Sequence, residues 1–188
     1  MCGRYNFSQE ESDEIREIVR EVERQQRGEF KMGEIYPTNV APVLVAGDDR
    51  PVPELLTWGF PGFKGQRTII NARAETAPDK PMFRKCLEQR RCVIPSTGFY
   101  EWDEGKQKIR FNLPGDRALY MAGLYNEFAG EPRYVILTTA ANESIADVHN
   151  RMPVVLPRER IAEWIGDLAS AMDILKSVPP MLDRQPVS

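Results

Sequence analysis

Downstream of residue 29 the chain is cut into short pieces. Apolar runs rich in β-branched and aromatic residues recur there, and proline or glycine separates them. The runs are 43–45, 55–58, 68–70, 92–94, 109–111, 118–124, 134–139 and 154–156. Each has the length of a strand and is too short for a helix of several turns. With 15 prolines and 13 glycines in 188 residues, helices are confined to short stretches, read at 83–89, 158–165 and 170–176. Many short strands with few helices predict the α+β class. The expected shape is a compact single domain with a β-barrel-like curved sheet core and a few peripheral helices. No repeat, low-complexity tract or linker divides it, and the end of the chain, Pro186-Val187-Ser188, carries no clear final element.

Before residue 29 the period is different. Ile15, Ile18, Val19 and Val22 follow at i, i+3, i+4 and i+7, the stripe of one amphipathic helix ending near Gly28. Ser8-Gln9-Glu10-Glu11 reads as its capping box, with serine at the cap. This element also organises the charge. Residues 9–29 hold eight acids and four arginines, a net of −4 against −3 for the whole chain, so the remainder is +1. An acidic helix thus masks a mildly basic body, in which a basic groove could lie.

Several classes drop out. No apolar run is long enough to span a membrane, and the start lacks a secretory pattern. The expected location is intracellular, cytoplasmic or nucleoid-associated. Cys2, Cys86 and Cys92 are odd in number and widely spaced, which argues against a disulfide framework. With His149 as the single histidine, a zinc site is not expected, and neither a metal nor a cofactor is assigned.

The polar residues that could carry chemistry sit at the ends of apolar runs. Asn71 follows Thr68-Ile69-Ile70, Glu101 lies between Tyr100 and Trp102, and His149 precedes the run at 154–156. Each has a bland alternative: a turn cap, a hairpin acid and a structural histidine. Cys2 stands apart. Loss of Met1 would leave an α-amine and a thiol on one residue. Such an aminothiol can condense with an aldehyde through its amine and then close a thiazolidine ring through sulfur. An α-amine titrates near ~8, so part of it is neutral at cellular pH. The bland alternative here is an incidental residue at a frayed terminus.

Taken in order, Met1-Cys2-Gly3-Arg4-Tyr5, Tyr36-Pro37-Thr38-Asn39-Val40-Ala41-Pro42, Trp58-Gly59, Asn71-Ala72-Arg73-Ala74-Glu75-Thr76, Gly98-Phe99-Tyr100-Glu101-Trp102 and His149-Asn150-Arg151-Met152-Pro153 span nearly the whole chain. The ordered set resembles the SRAP family, the SOS-response-associated peptidase domain. The resemblance implies one SRAP-like domain over residues 1–188 with a barrel-like α+β core. It also implies a function: shielding abasic sites in single-stranded DNA by a covalent bond between the mature N-terminal cysteine and the sugar aldehyde.

Carried over by position, Cys2 is the nucleophile and Asn71, Glu101 and His149 are its partners. Arg4 and Arg73 take the place of the family's phosphate-binding arginines, and the charge-masking argument adds Arg151 to the expected basic groove. Trp58, Trp102 and the loop from Asn39 to Pro42 take that of its DNA-facing surface. The expected partner is single-stranded DNA bearing abasic sites, bound by a monomer. Two departures stand out. The family continues past Pro-Val-Ser with an asparagine-containing tail, so a shortened version is expected here. The segment 61–65 is also shorter than the family's, which would alter the edge of a DNA groove.

The residue types suit that chemistry. A histidine near the sugar can move the proton that opens its ring. A carboxylic acid can help a carbinolamine lose water. Asparagine can orient amine and oxygen together. The arginines can fork onto phosphates, and tryptophans can stack on exposed bases for about 1–3 kcal/mol each. Two rivals remain: a thiol peptidase acting on protein substrates, since cysteine, histidine and asparagine are also its parts, and a noncovalent single-strand-binding module. Release of Met1 by self-cleavage is a further expectation of the family likeness.

Overall fold

Among the described residues, thirteen strands build two sheets that share one core. They are β1 (Tyr5–Phe7), β2 (Gly33–Ile35), β3 (Val40–Val45), β4 (Val52–Trp58), β5 (Asn71–Arg73), β6 (Arg91–Ser96), β7 (Gly98–Trp102), β8 (Lys108–Asn112), β9 (Leu119–Phe128), β10 (Glu131–Ala140), β11 (Arg151–Pro153), β12 (Val155–Leu156) and β13 (Asp183–Val187). Four α-helices among the described residues accompany them: α1 (Asp13–Arg24), α2 (Pro81–Gln89), α3 (Ile161–Gly166) and α4 (Leu168–Ile174). The computed structural model describes residues 2–25, 28–62, 67–115 and 117–187. Among these, no helix is long and apolar enough to cross a membrane.

Strands β10, β4, β3, β6 and β9 pair in that order, and β9 pairs with β10 to close a barrel. Only the β10–β4 contact in the ring is parallel. Closure removes the exposed edges that an open sheet would leave. Its strands are apolar, with Val43, Val93, Ala122, Val135 and Leu137 all fully buried. Gly123 permits the tight packing of three strands: a Cβ there would lie 2.4 Å from Ile94 Cδ1 and 2.8 Å from the Val135 carbonyl. β5 and β11 flank the C-terminal half of β10. The second sheet runs β13-β8-β7-β1-β2. Strand β1, between β7 and β2, is wholly buried, and the Tyr5 hydroxyl meets that of Tyr134 on β10 at 2.7 Å. The curved-sheet α+β core read from the sequence is therefore the observed architecture.

Local readings need correction. The cap of α1 is Ser12, whose hydroxyl oxygen accepts the Ile15 N–H at 3.4 Å. Ser8 instead donates to Glu10, and Glu11 is taken by Asn6 and Arg110. The helix also stops at Arg24, short of Gly28. In the run at 68–70 Ile69 bridges Phe60 and the Ile70 carbonyl accepts the Ile136 N–H of β10 at 3.1 Å, and the strand proper starts at Asn71. The chain end does carry an element: β13 pairs with β8 along five residues. Of the short segment 61–65, residues 63–65 lie outside the described residues.

Candidate functional site

Neighbouring strands deliver the first two site residues. In the pairing of β1 with β7, Tyr5 lies opposite Phe99, and the Tyr100 N–H donates to the Arg4 carbonyl at 2.9 Å. The same antiparallel register carries Glu101 abreast of residue 3, beside Cys2. The barrel delivers the other two. Asn71 opens β5, held against Ile136, and His149 ends the turn between β10 and β11. The site therefore lies on the seam between the two sheets.

Cys2 has no solvent exposure, and its thiol points at the Arg4 carbonyl, 3.7 Å away. Burial, and then the charge of Glu101, push the thiol well above its ordinary pKa, so it stays protonated. Asn71 Nδ2 donates to the Cys2 carbonyl at 3.0 Å, tying the barrel to the N-terminus, while Asn71 Oδ1 is buried without a hydrogen-bond partner among the described residues. That leaves an acceptor beside the residue whose amine would react. Glu101 is 5% exposed. Burial pushes its carboxyl above the usual carboxylate range, against the pull of nearby positive charge that includes His149. The Arg151 N–H donates to His149 Nδ1 at 2.9 Å, which leaves the ring's proton on Nε2 in the neutral form. Cys2, Asn71, Glu101 and His149, far apart in sequence, are thus brought together.

The residues read as DNA-facing separate into three groups. Arg73 is exposed at the end of β5, and its guanidinium has no hydrogen bond or ion pair among the described residues. Trp102 is 37% exposed and Arg4 half-buried beside it. Arg151 is engaged: its guanidinium forks onto Glu75 with two contacts of 2.8 Å and also donates to the Thr138 carbonyl. Asn39 is a turn residue whose Oδ1 accepts the Tyr36 N–H at 2.9 Å. Preceding it, Thr38 has φ 75°, a strained left-handed backbone for a β-branched residue.

Two placements differ from the surface role read for them. Trp58 is fully buried, tilted against Tyr5 and stacked on Tyr134, and its indole N–H donates to the Ile70 carbonyl at 3.1 Å. It closes the floor under Asn71 and presents no face to a base. Pro42 is buried within β3 and so is not part of a loop.

Sequence reasoning missed a cluster beside Cys2. The Arg4 guanidinium lies between the rings of Tyr36 (4.3 Å) and Trp102 (4.9 Å). Its Nη1 is 3.4 Å from Glu34, and Lys108 contacts the other oxygen of Glu34. Arg4, Trp102 and the Tyr36–Pro42 motif were legible in the sequence, but Glu34 and Lys108 were not.

Comparison with known proteins gives one answer. The family model described as "SOS response associated peptidase (SRAP)" matches residues 1–188. "Abasic site processing protein YoqW" of Bacillus subtilis is 37% identical over 95% of this chain and 86% of its own. "Abasic site processing protein YedK" of Escherichia coli is 30% identical over 88% of this chain and 79% of its own. A crystal structure from Bordetella bronchiseptica superposes with TM-score 0.78 over the full length of both chains at 23% identity, which speaks for the fold. With the family model covering it from end to end, the chain belongs to the SRAP family.

Proposed function

We propose that this protein processes abasic sites, and that it does so by joining itself to the sugar aldehyde of an abasic site in single-stranded DNA through Cys2. The observation that carries the reading is the approach of Asn71 and Glu101 to Cys2 on the seam between the sheets. The relatives' names, abasic site processing protein, supply the substrate class.

The chemistry starts with hydrolysis of the Met1–Cys2 peptide bond, which consumes one water and frees the Cys2 amine. Glu101 is the group beside that bond able to move the proton. The abasic sugar is mostly a closed hemiacetal, and His149, as an acid–base group, promotes opening to the aldehyde. The neutral amine adds to C1′, and the carbinolamine loses water to an imine. A carboxyl with a raised pKa retains the proton that this departure needs, which suits Glu101. The thiol then adds to the imine carbon: the C–S bond forms, the C=N bond becomes single, and the thiol proton ends on nitrogen. Asn71 orients the Cys2 backbone during these steps. The exposed Arg73 is available for a flanking phosphate. The protein acts as a monomer inside the cell, in the cytoplasm or at the nucleoid.

A thiol peptidase fits less well. Such a nucleophile needs a depressed pKa, usually from a histidine in contact with sulfur. Here burial drives the thiol the other way, and its hydrogen bond goes to a backbone carbonyl. The test is covalent capture. Mature protein should attach to abasic single-stranded DNA and not to the same strand with every base intact. Protein whose N-terminus is blocked by a tag should attach to neither. Attachment by the blocked protein at the parent rate would remove the aminothiol from the mechanism.

A further inference from the structure

Glu34 sits at the centre of the cluster beside Cys2. Three donors converge on its carboxylate: Lys108 on one oxygen, and on the other the Tyr36 hydroxyl at 3.0 Å and Arg4 Nη1 at 3.4 Å. Burial alone would raise this carboxyl, but the Lys108 and Tyr36 hydrogen bonds and the charges of Lys108 and Arg4 outweigh it and hold it below the usual range. It is a fixed negative charge between two fixed cations.

The cations are unequally held. Lys108 is in close contact with Glu34 and lies over the Tyr100 ring at 4.2 Å. Arg4 is looser. Tyr36 and Trp102 lie against its guanidinium, so its edges remain for an anion. Its side-chain contact with Glu34 is the 3.4 Å one. A guanidinium satisfied by a carboxylate usually forks onto it at 2.7–2.9 Å, as Arg151 does with Glu75 at 2.8 Å. Arg4 is therefore poised to exchange partners.

We propose that Glu34 stands in for a DNA backbone phosphate: it holds Arg4 and Lys108 ready between the aromatic rings, gives up Arg4 to the incoming strand and keeps Lys108 neutralised. Glu34 is then a positioning residue that weakens noncovalent DNA binding and sets its salt dependence. This rests on the reading of the site as one for single-stranded DNA.

The experiment measures noncovalent affinity for a single strand with all bases intact, titrated against salt. In Glu34→Gln, Lys108 becomes free to meet a second phosphate. Each single-strand phosphate contact adds about 0.7 to the slope of log affinity against log salt. The variant should therefore bind more tightly at low salt, and its loss of affinity between ~50 and ~200 mM salt should exceed the parent's by about 2.6-fold. Adding Lys108→Met to Glu34→Gln should return the slope to the parental value. Lys108→Met alone should weaken binding, since it leaves Glu34 with one cation fewer. Glu23→Gln, which removes an equal charge from the exposed face of α1, should leave the slope unchanged.

An unchanged slope in Glu34→Gln overturns the proposal, as does a steepening that survives Lys108→Met or that Glu23→Gln reproduces. If the parent binds no single-stranded DNA at any salt, the functional reading fails and this inference goes with it. If the parent binds and the slopes do not move, only the role of Glu34 is lost.

Discussion

Replacing Arg91 with methionine should be among the most damaging single changes away from the site. Arg91 is 6% exposed, and its guanidinium donates to four backbone carbonyls: Trp164, Ile165, Leu87 and Glu88, at 2.5–2.9 Å. All four lie in the last turns of α2 and α3, where a carbonyl has no partner within its own helix. One side chain thus ties two helix ends to the start of β6. A hydrogen bond to a charged group contributes about 1.5–3 kcal/mol net, so four sum to roughly 6–12 kcal/mol. The four bonds share one guanidinium, so their contributions are not additive and that sum is an upper bound. Methionine keeps most of the stem packing, leaving an expected loss of about 3–5 kcal/mol. For a chain of this length that is a fall in melting temperature of about 6–20 °C. Arg91→Lys, which can reach one or two of the carbonyls, should lose roughly half as much. Thermal and urea melts followed by circular dichroism measure both. A loss in Arg91→Met below ~1 kcal/mol, the range of surface changes, would refute the reasoning.

Three other expectations concern the site. Glu101→Gln should slow covalent capture by about 10²–10⁴-fold. It should also stabilise the fold more as pH rises: a carboxyl raised by burial supports the native state below its unfolded pKa and loses that support as pH climbs through the raised value. Melts from pH 4 to 7 on variant and parent check this, and a gap that shrinks with pH contradicts it. Trp58→Phe removes the donor to the Ile70 carbonyl, one residue before Asn71. Capture should slow in Trp58→Phe and Asn71→Ala alike while affinity for an intact strand holds, because neither side chain faces a base; a matching loss of affinity would put Trp58 back on the DNA surface. Arg73→Ala should weaken single-strand binding and flatten its salt slope by about 0.7, the share of one phosphate; an unmoved slope removes Arg73 from the DNA contacts.

The barrel was legible because its strands are apolar runs set off by proline and glycine, and their lengths excluded long helices. β2 and β13 were not legible: Gly33–Ile35 has no alternation long enough to read, and Asp183–Val187 is mostly exposed and polar. Asn71, Glu101 and His149 could be picked out because each is a reactive type at the edge of an apolar run, and Cys2 because it follows Met1. Burial was harder. Trp58 and Trp102 look alike as aromatic residues in short motifs, yet one is sealed under the site and the other half-open, which only the meeting of β4 with β10 decides. Arg91 reads as one more charge in the basic stretch around α2, and its burial follows from where α3 packs. The cluster around Glu34 was invisible for the same reason. Glu34 and Lys108 meet only when β2, β1, β7 and β8 assemble side by side.

The most direct measurement is the intact mass of the protein after mixing with a single strand carrying one abasic site, with and without brief borohydride treatment. The expected species is the chain without Met1 plus the strand minus one water, unchanged by borohydride, because the thiazolidine has no C=N bond to reduce. Cys2→Ala should give at most an imine, seen only as a reduced adduct two hydrogens heavier. An unreacted protein, an adduct that retains Met1, or a parental adduct that takes up those hydrogens in full would contradict a ring closed by the Cys2 thiol.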